Sequence, residues 1–112
     1  MNVSFEGIGH VSATFAADTV KVGTVCKMAQ NGKVAGCQDG EDFCGKIESV
    51  RRGFAGVQLH GFAEVSYSGT ELNVGRSILA ADGKGGVKSH TAGKSYLIVS
   101  VDTASKTAII EL

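Results

Sequence analysis

Val57-Gln58-Leu59-His60-Gly61-Phe62-Ala63-Glu64-Val65-Ser66-Tyr67 is the stretch that decides the fold. Along it Val57, Leu59, Ala63, Val65 and Tyr67 fall on one face, and Gln58, His60, Glu64 and Ser66 fall on the other. Successive side chains of an extended chain point to opposite sides, so this period of two predicts a half-buried strand. Gly61 interrupts it. A glycine there weakens a flat strand and marks a bulge or bend of the kind found where sheets curve into barrels.

Working outward, residues 22–30 and 33–38 flank Asn31-Gly32 and read as a hairpin, because asparagine-glycine favours the primed turns that match strand twist. Residues 43–50 read as the next strand. Residues 95–101 and 108–112 are β-branched and apolar, and with the polar segment 102–107 between them they read as a closing hairpin. Arg52-Gly53, Ser68-Gly69, Asp82-Gly83, Gly85-Gly86 and Ala92-Gly93 punctuate the remainder. No window carries a helical apolar stripe, and residues 72–81 are the best place for a short turn of helix. The expected fold is all-β: a small glycine-rich, partly open β-barrel or β-sandwich with little helix. It forms one domain over residues 1–112, with residues 1–19 either an extended N-terminal arm or an extra strand.

A chain of 112 residues buries roughly two thirds of its unfolded surface, enough for one core without metal or disulfide staples. Sixteen glycines and no proline fit many tight turns and no stiff linker. Eleven basic residues balance eleven acidic ones without any run of like charge, so nucleic acid and anionic membranes are not expected partners. The apolar runs fall far short of the ~20 residues that span a bilayer. The opening Met1-Asn2-Val3-Ser4-Phe5 has neither a basic nor an apolar leader region, which points to synthesis in a reducing cytosol.

Little here resembles catalytic chemistry. Cys26, Cys37 and Cys44 lack the close C-x₂₋₄-C pair that brings two thiolates to one zinc ion, and they read as reduced, apolar side chains. His10, His60 and His90 are isolated from one another, and no G-x-S-x-G elbow is present. Glu41, Asp42 and Glu48 are candidate acid-base groups, but Glu41 and Asp42 sit beside the Asp39-Gly40 turn and read as solvated. Gly83-Lys84-Gly85-Gly86 lacks the order of a phosphate-binding loop and reads as a hairpin turn. Lys27-Met28 is similar to the modified pair of biotinyl and lipoyl carriers, yet it precedes the Asn31-Gly32 tip where a carrier lysine would stand. No cofactor and no enzymatic activity are expected. Arg51-Arg52-Gly53-Phe54 joins two cations to an aromatic in a loop, a mixture enriched at protein interfaces. Its competing reading is an ordinary solvated turn with Phe54 folded inward.

The order of these features resembles a family of small phage proteins, the capsid cement or head decoration proteins. The residues that carry the likeness begin with Val22-Gly23-Thr24-Val25-Cys26 and Asn31-Gly32-Lys33-Val34. They continue through Cys44-Gly45-Lys46-Ile47, the central stretch around Gly61, and Val74-Gly75-Arg76-Ser77-Ile78 leading to Asp82-Gly83. The likeness spans residues 20–112. It implies a compact β protein that binds the outer surface of a phage head, as a homotrimer, and reinforces contacts between major capsid protein subunits. It also implies location on the virion capsid surface after synthesis in the host cytoplasm. Phe5 and Phe15 lie in the segment that the family uses as a capsid-facing arm, and with Arg51, Arg52 and Phe54 they are the interface candidates. One departure is that residues 4–15 alternate well enough to form a strand. The competing function is a small ligand- or carbohydrate-binding module, which the lack of tryptophan and the presence of only Tyr67 and Tyr96 disfavour.

Overall fold

In a computed structural model describing residues 9–112, ten strands are present and no helix occurs among the described residues. Five of them close a barrel in the order β1-β3-β2-β4-β5. They are β1 (Val11–Ala17), β2 (Val25–Gln30), β3 (Lys33–Gly36), β4 (Gly45–Arg51) and β5 (Phe54–His60). The other five, β6 (Phe62–Ser66), β7 (Gly75–Ala81), β8 (Val87–Ser89), β9 (Lys94–Asp102) and β10 (Thr107–Glu111), form a second sheet in the order β6-β10-β9-β7-β8. The edges of that sheet approach each other, since Tyr67 bridges to Val87. The expected all-β architecture, a small β-barrel or β-sandwich, is present as a closed five-stranded barrel with a second five-stranded sheet.

The hairpins lie where their turn residues put them. β2 and β3 pair antiparallel across Asn31-Gly32, and β9 and β10 pair through Thr107↔Asp102 to Glu111↔Leu97. Gly83-Lys84-Gly85-Gly86 closes the β7–β8 hairpin. There the buried Asp82 carboxylate accepts bonds from the Lys84 and Gly86 backbone N–H groups at 2.7 and 3.1 Å and from the Ser68 hydroxyl at 2.8 Å. A carboxylate held by three donors replaces the water it loses on burial.

The stretch 57–67 is two strands rather than one. At Gly61, whose φ is +100°, the chain leaves the barrel and enters the second sheet. A Cβ there would meet the His10 Cα at 3.0 Å, so glycine is required both for its backbone angle and for space. Gln58, expected on the solvent face, is 4% exposed. Its amide donates to the His60 and Phe62 carbonyls at 3.2 and 2.8 Å, on either side of the crossing, so the buried amide is itself hydrogen-bonded.

The turn of helix expected within residues 72–81 is also corrected. Residues 75–81 form β7, paired with β9 from Gly75↔Ile98 to Leu79↔Lys94 and with β8 from Leu79↔Ser89 to Ala81↔Val87. Leu79, Ala80 and Ala81 are buried in succession. Beyond that strand's own ladder, Ala81 exchanges backbone bonds with the 40–41 loop, at 2.9 Å from the Gly40 N–H and 2.8 Å to the Glu41 carbonyl. Alternation disappears where both faces are covered.

Two cores result. Ala17, Cys26, Val34, Ile47, Ala55 and Val57 fill the barrel, with Phe15, Val20, Cys44 and Leu59 packed at its margin. The larger core lies under the second sheet and includes Val25 and Phe43 from the barrel side among Val65, Leu79, Ile98 and Ile110. Shared core residues make the two sheets one folding unit.

Candidate functional site

At the β4–β5 hairpin the ladder ends in Arg51↔Phe54. The two residues between them, Arg52 and Gly53, have φ of 32° and 86°. Positive φ at both central positions is the pattern of a type I′ turn, whose twist matches the strands it joins. This geometry decides where the aromatic points. Ala55 and Val57 of β5 are buried, so by the pleat Phe54 faces outward, and it is 55% exposed. The inward-folded reading of Phe54 is therefore corrected. Arg51 and Arg52 are exposed beside it.

Next to the turn lies a shallow groove of about 460 Å³ lined by Thr14, Ser49, Arg51, Phe54, Ala55 and Gly56. Three strands build it. β5 is the middle one, with Thr14↔Gly56 on the β1 side and Ser49↔Gly56 on the β4 side. The groove thus carries an aromatic, small polar groups and a guanidinium, and the groups available to it are suited to contact and hydrogen bonding.

The interface candidates are brought together in part. Arg51, Arg52 and Phe54 share the turn. Phe15 lies on the adjoining strand as the register partner of Ala55, but it is half-buried against the barrel core. Residues 11–17 of the N-terminal segment form a barrel strand. Phe5 lies outside the described residues.

A second polar cluster sits at the end of β1. His10 Nε2 lies 3.0 Å from the Ser12 hydroxyl and 3.1 Å from a Glu48 carboxylate oxygen, and Ser12 donates directly to the other oxygen. A hydrolytic relay places the acid on one ring nitrogen and the hydroxyl on the other. Here both meet the same nitrogen, and the serine is spent on the carboxylate. Glu41 is held by Lys27 at 2.7 and 2.8 Å and by the Gln38 N–H at 2.7 Å, remote from that cluster in the fold. His90 accepts from the Ala92 N–H at 3.2 Å within its own turn. Among the described residues no group of three or more His, Cys, Asp or Glu is placed to hold a metal ion. Nor is any helix there long and apolar enough to cross a membrane.

Sequence reading missed one pair. Cys26 and Cys44 meet across β2 and the entrance to β4, and all three cysteines are free thiols. The turn at Arg52-Gly53 could be read from the chain, whereas this meeting depends on strand pairing that no spacing rule encodes. The chain matches no protein-family model, and no curated protein matches it significantly.

Proposed function

We propose that this protein is a non-enzymatic phage capsid decoration protein that docks on the outer surface of the head and stabilises contacts between major capsid protein subunits, as a homotrimer. The observation that carries the docking surface is Phe54, more than half exposed at a rigid two-residue turn between two arginines and a groove. Large aromatics and arginine are the residues that most often dominate binding when an interface desolvates them. The resemblance of residues 20–112 to head decoration proteins supplies the partner. Both tyrosines are buried, which counts against a sugar-stacking module.

Stabilisation follows from mass action. A protein that binds the assembled shell and not its separated subunits shifts the equilibrium toward the shell. Repetition over one lattice multiplies a modest contact.

The test uses heads lacking this protein, heated with and without the purified chain added back. Added protein is expected to raise the temperature at which the shells release DNA. Phe54→Ala protein is expected to bind them at least ten-fold more weakly, from the ~2 kcal/mol or more that an anchor aromatic contributes. Heads equally stable with and without the protein would remove the cement function. Full rescue by folded Phe54→Ala protein would instead move the docking surface elsewhere.

A further inference from the structure

The two cysteines that meet at the barrel margin have unequal surroundings. Cys26 takes Gly45 as its register partner, and its carbonyl also accepts the Cys44 N–H at 2.8 Å. The chain entering β4 thus stays bonded to Cys26 one residue before the paired strand begins. At Gly45 a Cβ would lie 2.4 Å from the Gln58 carbonyl oxygen, so the chain can press against β5 here only without a side chain.

Both cysteines belong to the same small core. Cys26 is wholly buried within it, and Cys44 packs against its edge while remaining partly open to solvent. Outside, Cys44 lines a cleft of about 530 Å³ together with Lys27, Met28, Glu41, Asp42 and Lys94. Glu41 occupies Lys27 through both carboxylate oxygens, so the cation acting on Cys44 is Lys94. Asp42, the Tyr96 phenol and the Cys37 thiol are the other charged and titratable groups around the Cys44 thiol.

The neighbouring thiol is the largest influence on each of the two groups. It holds the Cys44 thiol below its ordinary range and, with burial, pushes the Cys26 thiol up. Cys37 stands apart. Its S–H is directed at the Asp42 carbonyl at 3.9 Å, and burial, followed by the Glu41 charge, pushes it up to about 11. One accessible, anion-favouring sulfur beside one buried, protonated sulfur is the asymmetry that separates an attacking from a resolving thiol.

We propose that Cys26 and Cys44 form a dithiol site that exchanges with low-molecular-weight disulfides entering through the cleft beside Lys94, with Cys44 as the attacking thiol and Cys26 as the resolving thiol. The Cys44 thiolate attacks one sulfur of the small disulfide, forming a mixed disulfide and releasing one small thiolate. The Cys26 sulfur then attacks the Cys44 sulfur, the mixed bond breaks, and the second small thiolate leaves with the Cys26 proton. The small disulfide is reduced to two thiols and the protein dithiol is oxidised to one Cys26–Cys44 bond. That bond would tie β2 to the start of β4.

Intact-mass measurement of the folded protein incubated with oxidised glutathione at neutral pH tests this. Wild type should lose two hydrogens and retain no adduct, and fragment mapping should join Cys26 to Cys44. Cys26→Ala should stop at a stable single-glutathione adduct on Cys44, and Cys44→Ser should react at least ten-fold more slowly. Cys37→Ser should behave as wild type. Should Cys26→Ala fail to fold, wild-type mapping and the Cys37→Ser and Cys44→Ser rates still decide. Reaction first at Cys37, a persistent wild-type adduct, or no reaction would overturn the proposal.

Discussion

The Tyr96 ring stacks on the Phe43 ring with centroids 4.8 Å apart and planes 11° from parallel, and the Tyr96 hydroxyl donates to the Phe43 carbonyl at 3.2 Å. Phe43 enters from the loop before β4, and Tyr96 belongs to β9, so one aromatic pair joins barrel to second sheet. Tyr96→Ala is expected to cost about 3–5 kcal/mol, as for other buried aromatics, while Tyr96→Phe should cost about 1 kcal/mol for the hydrogen bond. Chemical denaturation followed by two probes checks the coupling. A Tyr96→Ala protein whose sheets melt separately would contradict a single cooperative unit.

The crossing at Gly61 should be equally intolerant. Gly61→Ala places a side chain at φ +100° against the His10 backbone, a strain on the order of 1–3 kcal/mol. Gln58→Leu keeps the volume but removes the donor to two carbonyls, with an expected cost of about 1–3 kcal/mol. Thermal melts of both variants measure this, and unchanged melting temperatures would show that the crossing is not held as described.

Phe15 and Phe54 should separate stability from binding. Phe54→Ala removes an exposed ring and should change stability by less than about 0.5 kcal/mol. Phe15→Ala opens the margin of the barrel core and should cost part of the ~3–5 kcal/mol typical of a fully buried phenylalanine. Urea midpoints of the two variants give the comparison, and a larger loss for Phe54 would reverse the assignment of which ring faces out.

Stability should decline at both extremes of pH. Lys88, Lys27 and Lys106 beside Asp39, Glu41 and Glu71, and backbone N–H donation from Ser105 to Asp102, hold these carboxyls below their ordinary values. Each favours the ionised native form. Its contribution is complete above the unfolded value of about 4 and is lost as pH falls through the lower folded value. In the alkaline range, the hydrogen bond to Glu71 pushes Tyr67 up to about 12, and burial pushes Tyr96 up to about 12. Those contributions are complete below about pH 10 and fade as pH rises from there through the folded values. Melting temperatures across pH 2–12 should show both declines, and a flat profile below about pH 4 would refute the acid half.

Turn chemistry made the hairpins legible. Asn31-Gly32 fixed β2 and β3, and the apolar runs around residues 102–107 fixed β9 and β10. What eluded the chain is which sheet a strand joins. Residues 57–67 keep one period of two through Gly61, yet they serve two sheets and place Gln58 inside the molecule. β7 was hidden because its last residues are covered on both faces and lose alternation. At the candidate site, Arg51-Arg52-Gly53-Phe54 could be read as a turn, but the outward aim of Phe54 depends on pairing with Arg51 and Ala16.

β1 lies between β3, to which it runs parallel, and β5, to which it runs antiparallel. Both partners are synthesised later, and a parallel neighbour cannot be reached by simple hairpin closure. β1, made before both of its partners, is therefore among the last of the barrel strands to be locked in place. Until β5 exists, the row β1-β3-β2-β4 carries two unsatisfied β edges, on β1 and on β4. Long-range pairings of this kind slow folding and expose edges to other chains. The same closure that leaves the finished barrel without an edge makes its assembly depend on how long the unfinished one is kept away from its neighbours.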